Sequence, residues 1–218
     1  MPETYFSYGE TEIAHLKARD PKLAAAMDAI GPIRRGVMPD LFAALINAII
    51  GQQISTKAQV TVWNRLTTQF SLLTAETLAA ADAQEIQRCG TSLRKAEYIR
   101  EIALAVQSGA LDLAQLAMLS DEEVCTHLSA LHGIGVWTAE MLLIFSMQRP
   151  DVLSMGDLAI LRGMRMLYRH RKITPQLFAK YKRRYSPYAT TASLYLWAIA
   201  GGAIAGLNDP VGKTAKKL

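Results

Sequence analysis

An all-α architecture is expected from three features of the chain. Apolar residues recur three and four positions apart in segment after segment, as on a helix with one buried face, and no segment sustains the alternation of a strand. Residues suited to helix N-caps stand at the heads of several segments, among them Asp20 before Pro21, Asp40, Ser55, and Ser120 three positions ahead of Glu123. Glycine and proline clusters separate the segments. Half of the 218 residues are hydrophobic, enough for a sizeable core without disulfides, and there is no internal repeat or low-complexity linker.

Residues 1–9 read as a loose arm. Helices follow over 10–18 and 20–30, the second with Asp20 as N-cap and Pro21 at its first position. Pro32, Gly36 and Pro39 mark 31–39 as a loop. Asp40 caps an apolar helix over 41–50, the run Gly51-Gln52-Gln53-Ile54 breaks it, and Ser55 opens a helix over 56–70. There Ala58, Val62, Leu66 and Phe70 share a face that Val60 and Trp63 broaden. Short helices are expected at 75–81 and 83–88, ended by Cys89-Gly90. A longer one, 92–107, turns Leu93, Ala96, Ile99, Ala103 and Val106 inward, and 111–119 is a short amphipathic piece. Past the hairpin described next, helices are expected at 158–169, 175–184 and 189–203, the last Ala-rich, nearly all apolar and buried. Residues 206–218, with Lys213, Lys216 and Lys217, form a basic tail expected to be mobile.

The chain is organised around residues 131–158. Ser120-Asp121-Glu122-Glu123 is a capping box that opens a helix running to about Ala130. Gly133 and Gly135, one residue apart, make a tight turn, and 136–147, free of Gly and Pro, is a second helix. In such a unit the amides of the turn and of the second helix's first residues lack intrahelical partners. They lie at the positive end of the helix dipole, which suits a phosphate. An ordinary helix–turn–helix without a ligand is the competing reading.

The run Leu131-His132-Gly133-Ile134-Gly135-Val136-Trp137-Thr138-Ala139, followed after a loop by Gly156-Asp157, resembles the helix-hairpin-helix DNA glycosylases that carry a Gly/Pro-rich loop and an essential aspartate. The Trp-Thr-Ala version is most similar to the 3-methyladenine DNA glycosylase II type. The resemblance covers residues 40–204. It implies two helical lobes with a DNA-binding cleft, one lobe of about 40–106 and the other of 1–39 with 107–204. The extra N-terminal β-domain of the larger relatives is not expected here.

The resemblance places the chemistry on Asp157. Breaking an N-glycosidic bond builds positive charge on the deoxyribose, and a buried carboxylate near C1′ stabilises it and can orient or deprotonate water. Asp157 also stands at a helix start, where it would serve as N-cap, and the two roles are compatible. Trp137 occupies the place where strand-cutting relatives carry a Schiff-base lysine, so base removal alone is implied, leaving an abasic site. Glu140 is the rival carboxylate, read as a helix-surface residue. Gln53 matches the position from which relatives push a side chain into the DNA stack, with Gln52 as runner-up; a helix-capping pair is the alternative. His132, Gly133 and Gly135 are the hairpin's DNA-contacting candidates, His132 standing where the family commonly has proline. Trp137, Met141, Tyr188 and Trp197, with Tyr185, are candidates to line a base pocket, each also explicable as core. Tyr185-Ser186-Pro187-Tyr188 is similar to the family's aromatic-x-Pro-aromatic segment, but Ala189-Thr190 stands where the family often has Arg-Ser. Arg162, Arg165, Arg169, Arg171, Lys172, Lys180, Lys182, Arg183 and Arg184 could contact phosphates or merely form a solvated face.

The resemblance also implies a monovalent cation, Na or K, held by the backbone carbonyls of Ser129, Leu131 and Ile134. Cys89 and Cys125, both expected to be buried and reduced, are too few for the four-cysteine iron–sulfur cluster of some relatives or for a structural zinc site. The net charge of +5 permits nucleic-acid binding without requiring it. No leader opens the chain and no apolar run is long enough to span a bilayer, so an intracellular location is expected, in the bacterial cytoplasm and nucleoid or in a eukaryotic nucleus. The expected partner is duplex DNA containing alkylated bases, met by a monomer that excises 3-methyladenine as the first step of base excision repair. The rivals are the same chemistry on uracil, a mismatched base or an oxidised purine, and a non-catalytic hairpin module that recognises damaged DNA.

Overall fold

The computed structural model describes residues 4–211, and among these every regular element is an α-helix. They are α1 (Glu10–Arg19), α2 (Pro21–Ile30), α3 (Leu41–Gly51), α4 (Thr56–Gln69), α5 (Ala75–Ala80), α6 (Ala83–Arg88), α7 (Leu93–Gln107), α8 (Leu113–Leu116), α9 (Asp121–Ser129), α10 (Val136–Phe145), α11 (Leu158–Tyr168), α12 (Pro175–Tyr185) and α13 (Ala189–Ala200). None is long and apolar enough to cross a membrane. The helices form two compact units, divided at Val37/Met38 and at Met147/Gln148.

The central unit, residues 38–147, holds α3–α10. Asp40 caps α3 by accepting from the Ala43 amide, and the helix buries Leu45, Ile46, Ile49 and Ile50. Ala96, Ile99, Ile102 and Ala103 of α7, Val62 and Leu66 of α4, and Leu78 of α5 complete that core. The capping box at Ser120 forms as read, Ser120 and Glu123 satisfying each other's backbone amides. Helix α10 then packs on α9 and α3, burying Ala139, Leu142 and Leu143. The expected lobe boundary near residue 106 therefore differs from the observed one. Residues 107–147 belong with 38–106, because α10 lays its apolar side on α3. Val60 and Leu93, expected to face inward, are exposed, and only Leu113–Leu116 of the 111–119 stretch is helical. Cys89 is buried but Cys125 only half-buried, and neither forms a disulfide.

The end unit gathers both ends of the chain, α1 and α2 with α11–α13. Helix α13 is buried along nearly its whole length, and α11 crosses it with no room for a side chain at Gly163. A Cβ there would lie 2.2 Å from the Leu196 carbonyl oxygen. A buried polar cluster ties the unit together. Asp20 caps α2 through Oδ1, while its Oδ2 accepts from the Tyr168 hydroxyl and the Arg184 guanidinium, each at 2.7 Å. The Tyr168 and Tyr185 hydroxyls meet at 2.5 Å, and Tyr168 stacks on Tyr181. Burial, with Tyr185 and Asp20 alongside, pushes the Tyr168 phenol far above its ordinary range.

Residues 4–9 are not a loose arm. Phe6 is buried, its amide donates to the Arg35 carbonyl and the Val37 amide donates to that of Thr4, so the segment pairs with the loop after α2. The Tyr8 hydroxyl pins the same loop at the Ile33 amide and carbonyl. At the other end, Arg165 forms a two-pronged ion pair with Asp209, which holds the stretch before residue 211 against α11. The basic tail expected beyond it lies outside the described residues.

Candidate functional site

The candidate residues divide between the two units, and each group is described within its own unit. In the central unit the hairpin closes through two short-range bonds, the Leu131 amide donating to Leu128 and the Ile134 amide to Leu131. Its two glycines differ in kind. Gly133 has φ +85 and a Cβ would stand 2.6 Å from the Tyr98 ring, so the protein itself requires glycine there. Gly135 is extended at φ −92, and nothing lies within 4 Å of where a Cβ would point. Gly135 is the N-cap of α10 and supplies no capping side chain. Val136 and Trp137, in the first turn, are exposed, Trp137 by 48 %, whereas Met141 one turn on is half-buried.

His132 is exposed and its Nδ1 lies 2.8 Å from the Glu101 carboxylate on α7, in an ion pair when the ring is protonated. The ring also lies beside Tyr98. The carbonyls of Ser129, Leu131 and Ile134 sit at the end of α9 and in the turn, where the negative end of the α9 dipole favours a cation. The Leu131 carbonyl already accepts the Ile134 amide but has a second lone pair, so this neutral oxygen set fits a weakly held monovalent ion.

The loop after α3 is tied to this hairpin. Gln52 donates from Nε2 to the Gly133 carbonyl at 2.6 Å. Gln53, next to it, is exposed and sits at φ +58, a left-handed conformation that costs a non-glycine residue about 1–2 kcal/mol. The two glutamines thus have different surroundings, Gln52 bonded inward to the hairpin and Gln53 directed outward by a strained backbone. Of the capping pair that was the alternative reading, Gln52 is the C-cap of α3, its amide donating to the Ile49 carbonyl, whereas the N-cap of α4 is Ser55.

In the end unit Asp157 is 6 % exposed and caps α11, Oδ1 accepting from the Ala159 amide at 2.8 Å and the Ile160 amide at 2.9 Å. Both cap bonds go to one oxygen. They fix the carboxylate at the positive end of the helix dipole. Leu158 and Met155 beside it are exposed.

The approach to Asp157 is held to α13. Thr190 donates its hydroxyl to the Arg149 carbonyl and accepts from the Val152 amide, while its own amide donates to Pro150. The Ser193 hydroxyl donates to the Val152 carbonyl, and Asp151 accepts from the Ser186 hydroxyl and the Ala189 amide. The Ala189-Thr190 pair that departs from the family's Arg-Ser is therefore the anchor of the segment that leads to Asp157. Nothing in the sequence singled out Thr190 or Asp151 for that role, because their partners lie about forty residues away.

Tyr188 and Trp197 are half-buried and pack against the core of the end unit, Tyr188 edge-on to His15. Tyr185 is fully buried in the Asp20 cluster and is a core residue, not a pocket residue. The basic run is partly accounted for within the protein. Arg165, with Arg162 nearby, pairs with Asp209, Arg169 donates to the Asn208 carbonyl, and Arg184 binds Asp20. A cavity of about 560 Å³ lined by Tyr5, Tyr8, Ile13, Met27, Arg34 and Tyr195 includes none of the candidate residues.

A buried carboxylate at a helix start in one unit, and a glycine hairpin whose second helix has no side-chain cap in the other, are the two parts that the sequence motif joins. The chain belongs to the HhH-GPD superfamily of base excision DNA repair proteins, whose family model matches residues 46–187, a stretch that contains Gln53, the hairpin and Asp157. It is 34 % identical to DNA-3-methyladenine glycosylase 1 of Schizosaccharomyces pombe over 191 residues, 84 % of each chain. Among solved structures it is similar to a DNA-3-methyladenine glycosidase from Bacillus halodurans, at 35 % identity and a TM-score of 0.81 over 91 % of this chain and 93 % of that one. It is also similar to the S. pombe 3-methyladenine DNA glycosylase in complex with abasic DNA, at 31 % identity and a TM-score of 0.72, covering 87 % and 96 %.

Proposed function

We propose that the protein is a monofunctional DNA glycosylase that flips alkylated purines, 3-methyladenine foremost, out of duplex DNA and hydrolyses their N-glycosidic bond, opening base excision repair. The observation that carries this reading is Asp157, a carboxylate buried and fixed at the N-terminus of α11 in a chain of this family. As the deoxyribose gains positive charge, this preorganised anion stabilises it and orients or deprotonates the attacking water. Positively charged alkylated bases are good leaving groups, so little leaving-group protonation is needed. Trp137, where a lysine would form a Schiff base, confines the reaction to base removal.

In this reading Gln53 enters the stack in place of the flipped nucleotide, supported by its exposure and its outward-directing backbone. Gly133, Gly135 and His132 meet a phosphate at the N-terminus of α10, with a Na or K ion on the Ser129, Leu131 and Ile134 carbonyls neutralising further phosphate charge. The open space at Gly135 supports this, since its lack of a side chain serves no neighbour in the protein. Gln52 braces the loop, and it touches DNA less directly than Gln53. Trp137 and Met141 in the central unit, and Tyr188 and Trp197 in the end unit, are the candidates to contact the flipped base, since electron-rich rings favour a cationic base. The enzyme acts as a monomer, inside the cell where DNA is.

Release of free base from methylated duplex DNA tests the proposal. Free 3-methyladenine and an abasic site without strand cleavage are expected. Release of uracil or 8-oxoguanine from the matching substrates, with none from methylated DNA, would overturn the substrate assignment. Binding to lesion DNA with no base released from any substrate would leave a recognition module instead.

A further inference from the structure

Helix α7 carries three side chains at three-residue spacing, Lys95, Tyr98 and Glu101, which therefore share one face. Each engages either the Gln53 loop or the hairpin. Lys95 Nζ donates to the Ile50 carbonyl at 3.0 Å and to the Gln52 carbonyl at 2.6 Å. These are carbonyls at the C-terminal end of α3, where the dipole favours a cation and orphan acceptors need a donor. Tyr98 packs where a Gly133 side chain would be. Glu101 bonds His132. Gln52 closes the circuit, its backbone held by Lys95 and its side chain bonded to the Gly133 carbonyl.

From this geometry we infer that the α7 face locks the Gln53 loop and the phosphate-facing hairpin into one register, with Lys95 as the positioning residue that presents Gln53 for insertion into the DNA stack. The inference rests on the role proposed for Gln53. Its physical content is that Gln53 is held in a left-handed conformation that an untethered loop would relax, and that the peptide just before it is fixed by Lys95. Lys95 is itself rigidly mounted, because Ser92 caps its backbone amide. Burial, followed by the charge of Arg94, lowers the Lys95 ammonium's pKa, so the ammonium is held in place despite a desolvation cost. A lysine serving only as a DNA contact would extend into solvent; this one turns inward to two carbonyls.

Lys95→Met, Lys95→Arg and Gln53→Ala are compared with the wild type for affinity to undamaged duplex, for fluorescence of a 2-aminopurine placed beside the lesion, and for single-turnover base release. For Lys95→Met, undamaged-DNA affinity is expected to stay within about twofold while the unstacking signal and single-turnover rate fall roughly ten- to a hundredfold, the worth of charge-assisted hydrogen bonds. Gln53→Ala is expected to show the same pattern, and Lys95→Arg to recover much of the loss. If Gln53→Ala unstacks DNA like the wild type, the insertion role fails and this inference falls with it. If Gln53→Ala loses unstacking but Lys95→Met keeps it, insertion stands and the role of Lys95 is refuted. Equal loss of undamaged-DNA affinity in Lys95→Met would make Lys95 a phosphate contact, which also refutes it. Should Lys95→Met fail to fold, Gln52→Met cuts the circuit at its other end. It should likewise lose unstacking before undamaged-DNA affinity, and unchanged unstacking would overturn the inference.

Discussion

Replacing Asp157 by asparagine separates its two roles. The carboxamide keeps an Oδ1 that can accept from the Ala159 and Ile160 amides, at the 2.8 and 2.9 Å now occupied by the carboxylate. What is lost to folding is the charge at the helix N-terminus, about 0.3–1 kcal/mol, partly offset because a 6 % exposed site no longer buries an ion. For a chain of this size that is a change in Tm of about 2–4 °C at most. What is lost to catalysis is a preorganised charge opposite a developing cation, on the order of a hundred- to a thousandfold in rate. Asp157→Ala in addition removes both cap bonds, about 0.5–2 kcal/mol, and leaves two amides unsatisfied. The assay is single-turnover release of 3-methyladenine at saturating enzyme, alongside calorimetric Tm and affinity for abasic-site duplex. The expected ordering is near-equal activity loss in Asn and Ala variants, a Tm drop confined largely to Ala, and retained DNA affinity in Asn. An Asn variant within tenfold of wild-type rate would refute the catalytic assignment. A loss of activity that merely tracked Tm would reduce Asp157 to a helix cap.

Three other outcomes follow from the geometry. Gly133→Ala, strained at φ +85 and blocked by Tyr98, should lower Tm, whereas Gly135→Ala should melt as the wild type does yet bind duplex DNA severalfold more weakly; wild-type affinity in Gly135→Ala would remove the hairpin phosphate contact. Gly163→Ala drives a methyl to 2.2 Å from the Leu196 carbonyl, so α11 and α13 must separate at about 1–3 kcal/mol or more, which differential scanning calorimetry would report as a clear drop in Tm, and an unshifted Tm would contradict the close crossing. The hydrogen bond from Arg165 holds the Asp209 carboxyl below the usual aspartate range. Its contribution, up to about 1 kcal/mol, is therefore present above the unfolded-state pKa and lost as pH falls through the lowered folded-state one. Melting curves of the wild type and Asp209→Asn should differ at neutral pH and converge in acid, and a gap that persisted in acid would exclude the ion pair as its source.

What was legible in the sequence is mostly local. Asp20, Asp40, Ser55, Ser120 and Asp157 each cap the helix they were read to cap, because capping depends on residues within three positions. The hairpin was legible for the same reason, as two glycines between a capping box and an unbroken apolar helix. What failed is non-local. Asp20 reads as a cap and nothing more, yet its second oxygen holds Arg184, 164 positions away in a run that reads as a basic surface. Residues 4–9 lack any period, so only the fold reveals their pairing with 35–37. Helical spacing picked out Val60 and Leu93, but a period identifies a face and not which neighbour covers it, and none covers these. In the candidate site, the motif singles out Gln53 as a candidate, while nothing singles out Lys95, because a lysine near a helix start carries no local sign of the carbonyls it meets forty residues earlier.

The arginines of α11 and α12 bear on how such a protein would search a genome. Arg165 and Arg184, and in part Arg162, face carboxylates of their own chain. Cations so engaged are not available to displace counterions from DNA, and each phosphate left unneutralised removes about 0.9 from the slope of log affinity against log salt. A shallow slope means a light grip on undamaged duplex and frequent dissociation. Residence at a lesion then depends on the base that leaves the stack more than on the charge of the backbone around it.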